Sequence, residues 1–221
     1  MSHFTMAWLY LLGLPKTLYF NFKYLRFAEA VKLPILVSHR LYLSEMGGSI
    51  RLAKPAKFGM VRIGFGNVGI FDQQRRSIWL VSGRVIFKGI ANIGHGSKIS
   101  VSVSGILTLG DNFAMTAESQ IVCEKAITFG DDVLVSWENL FLDTDFHKIK
   151  INGCVTNAPA EIVIGNHVWF GCRCTILKGT FVAREIVVAA NSTLSGRFDQ
   201  SHTIIGGNPA QVLKEQVSWE H

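Results

Sequence analysis

The chain has 221 residues, 48% of them hydrophobic and 17% charged, with a net charge of +6. That balance excludes a disordered chain and supplies a sizeable core for one or two domains. The four cysteines, Cys123, Cys154, Cys172 and Cys174, hold no C-x-x-C pair and are too few for a disulfide framework, so they read as reduced thiols of a cytosolic protein with no metal site.

The chain opens on "MSHFTMAWLYLLGLP", an apolar run of about ten residues where a bilayer span needs about twenty. It lacks the basic start and small-residue cleavage site of a signal peptide. The next stretch, "KTLYFNFKYLRFAEAVKLP", mixes aromatics with Lys and Arg. Much of the positive excess lies here and just beyond, at Lys16, Lys23, Arg26, Lys32, Arg40, Arg51, Lys54 and Lys57. There is no basic run and no aromatic RNA signature, so nucleic acid is not expected as a partner. Residues 1–60 are read as an N-terminal cap or extension. One placement packs it on the core; the other rests it on an anionic membrane face, aromatics in and basic residues out.

From residue 61 the sequence falls into sixes. "IGHGSK" and "ISVSVS" start at 93 and 99; "LGDNFA", "MTAESQ" and "IVCEKA" at 109, 115 and 121; "FGDDVL", "VSWENL" and "FLDTDF" at 129, 135 and 141. After a gap the frame runs from Ile164 through Phe170, Ile176, Val182 and Val188 to Leu194. The first place is apolar, the second often small, the fifth apolar or small. Six does not fit a helix of 3.6 residues per turn, and Gly, Ser, Thr, Val and Asp are weak helix formers. The period describes short extended runs separated by corners. Three runs make a coil of eighteen residues whose leading side chains point into a triangular prism, each coil pairing with the next at the parallel-strand spacing.

The frame breaks at one place. After Phe141, Asp145 falls on the inward fifth position and His147 on the next leading position. An unpaired carboxylate and imidazole inside an apolar prism would cost several kcal/mol, roughly. The chain is therefore expected to leave the prism, and "HKIKINGCVTNAPAE" carries the Gly, Asn and Pro of an irregular segment. Residues 147–160 read as an excursion loop, with coiling resumed at Ile162.

Residues 61–210, and within them "IGNHVWFGCRCTILKG" and the closing "IGGNPAQVLK", resemble the hexapeptide-repeat acyltransferase family, and most nearly the O-acetyltransferases of surface-polysaccharide synthesis. The resemblance implies an all-β fold: a left-handed parallel β-helix with an N-terminal cap segment and a short C-terminal tail at 211–221. It implies acetyl-CoA as co-substrate, a homotrimer with active sites at subunit interfaces, and a sugar or lipid-linked saccharide as acceptor. The expected place is the cytoplasm, with peripheral contact at the inner membrane face.

Family members carry a catalytic histidine at the base of such a loop, and the matching position is His147. Imidazole titrates near neutral pH and can take the proton of an attacking hydroxyl. A carboxylate on its other nitrogen would fix the tautomer; Asp145 is the first choice and Asp143 the second. The resemblance carries cofactor contacts onto Trp169, Gly171, Cys172, Ala190 and Ser195, with Lys214 at the phosphates and Lys178 as a weaker candidate. The family's lysine after the last hexad is replaced by Gly196, so Arg197 is expected to take that contact. Glu118 and Trp137 are candidates for holding the sugar. His3, His39, His95, His167, His202 and His221 read as ordinary turn or surface residues. Rival readings are an N-acetyltransferase of an amino sugar, a zinc carbonic anhydrase on the same fold, for which no H-x4-H pair is present, and a non-enzymatic scaffold.

Overall fold

A computed structural model describes residues 3–66 and 68–220; His221 and the side chain of His3 lie outside the described residues. The three expected prism faces are present. The first runs from strand Ile35–Val37 through Ala91–His95, Leu134–Val135 and Trp169–Phe170 to Thr203–Gly207, and Ala210–Glu215 closes it antiparallel. The second runs from Tyr42–Glu45 to Thr193–Leu194, and the third from Ser49–Leu52 to Arg197–Phe198. Pairing along each face is parallel and in line with the hexads: Met115 sits on Val135, Val135 on Phe170, Phe170 on Val188.

The leading hexad residues fill the prism. Phe129, Val135, Phe141, Phe170, Ile176, Val182, Val188 and Leu194 are fully buried. Phe113, Phe129, Phe141 and Phe170 stack in a column, the first pair tilted and the other two edge-on, with centroids 4.9–5.2 Å apart. Each such side chain contributes about 1.5–3 kcal/mol relative to exposure. The small second position serves the approach of neighbouring coils: a Cβ on Gly110 would meet Gly130 O at 1.9 Å. At this edge Asp111, Asp131 and Asn166 each accept a backbone N–H from the adjoining coil, namely those of Ile90, Asp111 and Asp131. The recurring Gly-Asp and Gly-Asn pairs are thus the stitches of one edge.

Two boundaries differ from expectation. Coiling begins at Ile35, well before residue 61, because strands 35–37, 42–45 and 49–52 already belong to the three faces. Loops of irregular length separate these runs, so they keep no six-residue period. A second excursion, residues 64–77, leaves between the first and second faces. It is tied down by Arg75, which pairs with Glu118, and by Arg40, which donates to Gln73 O.

The cap is the helix His3–Tyr24, followed by the short helix Phe27–Ala30. Strand Ile35–Val37 would otherwise expose unpaired backbone at the end of the first face. The helix meets it with side chains one turn apart. Thr17 Oγ1 accepts from Val37 N at 3.0 Å and donates to Val37 O at 3.3 Å. Asn21 accepts from Ile35 N at 3.2 Å and donates to Ile35 O at 2.7 Å. Gly13 lets the helix come this close: a Cβ there would lie 2.5 Å from Val37 O. Phe20, fully buried, packs on Trp79. Asn21→Ala leaves both Ile35 groups unpaired in a buried place and is expected to cost about 2–4 kcal/mol. Urea unfolding checks this: the midpoint falls while the slope is kept.

Candidate active site

The chain leaves the prism after Leu142, on the edge between the second and third faces, and returns at Ile162. The excursion carries a small hairpin, Lys150–Ile151 against Cys154–Val155. His147 is exposed at its base and lines a cleft of about 240 Å³ with Glu124, Thr144, Asp145, Phe146, Lys148, Asn157 and Pro159. Its ring makes no hydrogen bond among the described residues, so both nitrogens are available to a reactant.

Asp145 is beside His147 along the chain but does not orient its ring. Its carboxylate accepts from Lys178 Nζ at 2.5 Å and from Asn157 Nδ2 at 2.8 Å, and these two neighbours hold it below the usual carboxylate range. Its backbone carbonyl accepts the His147 N–H at 2.6 Å. Asp145 therefore fixes the loop base. Asn157, which the sequence reading passed over, is the clamp. It donates to Asp145 and to His147 O, and it accepts from Ile149 N at 2.6 Å. Lys178 also donates to Asn157 O at 2.9 Å, so it belongs to this clamp and is not free for a phosphate.

Asp143 is a correction. It is fully buried and its carboxylate accepts the N–H groups of Glu124, Lys125 and Ala126 at 2.6–2.8 Å. Those groups sit at the corner one coil below, where the excursion has removed the corner that would stack on it. Asp143 replaces that missing backbone and is not aimed at an imidazole. Cys123 lies beside it; burial, then the nearby carboxylate, pushes its thiol up to about 12, which rules it out as a nucleophile.

The other assigned positions fall into two groups. Trp169 projects from the first face, 36% exposed, its indole N–H donating to Ser136 Oγ at 3.1 Å. Cys172 and Ala190 stack on one edge, where Asn191 N donates to Cys172 O at 2.9 Å; Ala190, Ser195 and Lys214 are exposed. Gly171 is explained by packing, since a Cβ would meet Ala190 N at 2.7 Å. Arg197 is held by Asp199 at 2.7 Å and lies over the Phe181 ring.

Glu118 and Trp137 do not join the His147 cleft. They lie on a different edge, between the first and second faces, where Glu118 is a left-handed corner residue (φ 51°) paired with Arg75. Trp137 is half-buried on the same edge. His95, read as a turn residue, is 3% exposed at the end of a strand, with neither ring nitrogen bonded among the described residues, and burial pushes its pKa down. Alternation along "ANIGH" could have flagged that inward placement. Among the described residues no three His, Cys, Asp or Glu side chains converge as a metal cage would require.

No family model matches the chain. It is 28% identical over 141 residues to WbbJ of Escherichia coli strain K12, a protein named for O-acetyl transfer in lipopolysaccharide biosynthesis, over 58% of this chain and 71% of that one. It is 28% identical over 200 residues to an uncharacterized 24.8 kDa protein of the cps region of Klebsiella pneumoniae, over 90% of this chain and 87% of the other. The solved structure of the polySia-specific acetyltransferase NeuO superimposes with a TM-score of 0.55 over 85% of this chain and 79% of its own, at 17% identity, which establishes the common fold.

Proposed function

We infer that this chain, which belongs to the hexapeptide-repeat acyltransferases, moves an acetyl group from acetyl-CoA to a hydroxyl of a sugar in a surface-polysaccharide precursor. The observation that carries the reading is the edge between the second and third faces, where the prism opens to hold out an exposed imidazole, His147, unbonded among the described residues, over a cleft clamped by Asn157, Asp145 and Lys178.

The co-substrate supplies an acetyl thioester. The residues fit it: a half-open Trp169, an edge of small residues at Cys172 and Ala190, exposed Ser195, and the Lys214 ammonium. The acceptor hydroxyl attacks the thioester carbonyl while His147 takes its proton; the C–S bond then breaks and the proton passes to the leaving thiolate. Backbone at the clamp keeps the ring at the loop base, which is the contribution of Asp145 and Asn157.

The working unit is a homotrimer. Four apolar side chains of the excursion, Phe146, Ile149, Ile151 and Val155, are 46–69% exposed on one protomer. Such a patch beside a cleft is suited to meeting another copy. Free cysteines, one of them the exposed Cys154, suit a reducing cytoplasm, and a lipid-linked acceptor would draw the enzyme to the inner membrane face. The test is release of CoA thiol from acetyl-CoA across a panel of mono- and oligosaccharides. A sugar-dependent rate is expected; a chain that neither binds CoA nor releases thiol with any saccharide sinks the reading.

A further inference from the structure

The helix His3–Tyr24 meets the prism with one side and turns an apolar one outward. Gly13, Thr17, Phe20 and Asn21 face the first strand and are buried. At about 100° per residue the opposite side carries Trp8, Leu11, Leu12, Leu18, Tyr19 and Phe22. All six are exposed, from 40% at Leu18 to 61% at Leu11. The helix contains no acidic residue. Beside it an apolar groove runs between Leu14 and the segment carrying Leu33, Leu36 and Phe58, the last 70% exposed.

Cations surround this surface in sequence and are themselves exposed: Lys23, Arg26, Lys32 and Lys57. Residues 1–60 hold eight Lys and Arg against two acidic residues, Glu29 and Glu45, so the whole net charge of the chain, +6, resides there. Among the described residues no helix is long and apolar enough to cross a membrane. The Thr17 and Asn21 bonds also hold this helix against the end of the prism.

We propose that this helix is an in-plane docking surface for an anionic lipid bilayer: its aromatic and leucine face enters the headgroup region and the flanking cations meet lipid phosphates. The proposal rests on the acetyl-transfer reading only for its purpose, bringing the cleft to a lipid-linked acceptor. Charge decides between occupants, since a second copy of this chain would bring like charge to like.

The test is flotation of the full chain with vesicles of phosphatidylcholine alone or mixed with phosphatidylglycerol. The protein is expected to float with the anionic vesicles, at least ten-fold less with the neutral ones, and to be released by salt. L11S/L18S/F22S and K23E/K32E/K57E variants should each lose flotation at least ten-fold while thiol release with a soluble saccharide stays unchanged. Flotation with neither vesicle, or equal flotation of wild type and both variants, overturns the proposal. So does sizing that shows the wild type in an assembly larger than a trimer which the serine variant dissolves; the face would then belong to another copy. Loss of thiol release with flotation intact would instead count against the acetyl-transfer reading alone.

Discussion

His147→Ala is expected to lower sugar-dependent thiol release by about 10²–10⁴-fold, the range for losing a general base. The KM for acetyl-CoA and the melting temperature should stay where they are. The second half follows from where the ring sits. His147 is exposed on a loop that leaves the prism, and among the described residues its ring bonds to nothing that holds the fold together. The loop base is fixed by the His147 backbone and by Asn157, which an alanine preserves. Substituting Asn157 gives the contrasting outcome. Asn157→Ala should lower turnover through a loosened loop and be partly rescued by Asn157→Gln, which keeps the donating amide, whereas His147→Gln should not recover. A folded, CoA-binding His147→Ala trimer with full turnover would remove the imidazole from the reaction.

What could be read in the sequence was what repeats. Phe129, Val135 and Phe141 stand at one spacing because stacked coils need the same side chain at the same place, and a linear scan finds that. The excursion was legible for the same reason: a carboxylate and an imidazole fell on inward places and the frame stopped. What stayed hidden depends on contacts between distant segments. The first coil, from Ile35, keeps no period because its loops vary in length. Thr17 and Asn21 look like any polar residues of a helix until an exposed strand edge lies against them. The loop at 64–77 is rich in glycine, yet what anchors it, the pairing of Arg75 with Glu118 and of Arg40 with Gln73 O, shows only once the chain is folded. Proximity along the chain misled at Asp143 and Asp145. Two carboxylates within four residues of a histidine suggested a dyad, but each is committed elsewhere, one to three backbone N–H groups and one to Lys178 and Asn157.

That commitment makes Asp143 the position with the largest expected effect on stability. Where the prism is unbroken, each corner is covered by the corner of the next coil. At 124–126 the next corner has been replaced by the excursion, and three N–H groups would face nothing. The Asp143 carboxylate takes all three from a site with no solvent exposure, while its own carbonyl accepts from Ala160 N at 3.1 Å as the loop returns. One residue thus serves both levels: its side chain closes the coil below, and its backbone carbonyl receives the returning loop. Asp143→Ala leaves three part-buried donors without their acceptor at about 1–3 kcal/mol each, partly relieved by water entering the gap, so a loss of about 3–5 kcal/mol is expected. For a chain of this size that is a fall in melting temperature of roughly 6–20 °C. Asp143→Asn keeps one acceptor oxygen and should fall in between. An orienting carboxylate would behave in the opposite way. If Asp143 served the His147 ring, the asparagine variant would keep its melting temperature and lose turnover, with a changed pH profile. If it serves the backbone, the variant melts early, and below that temperature its turnover and pH profile match the unaltered chain.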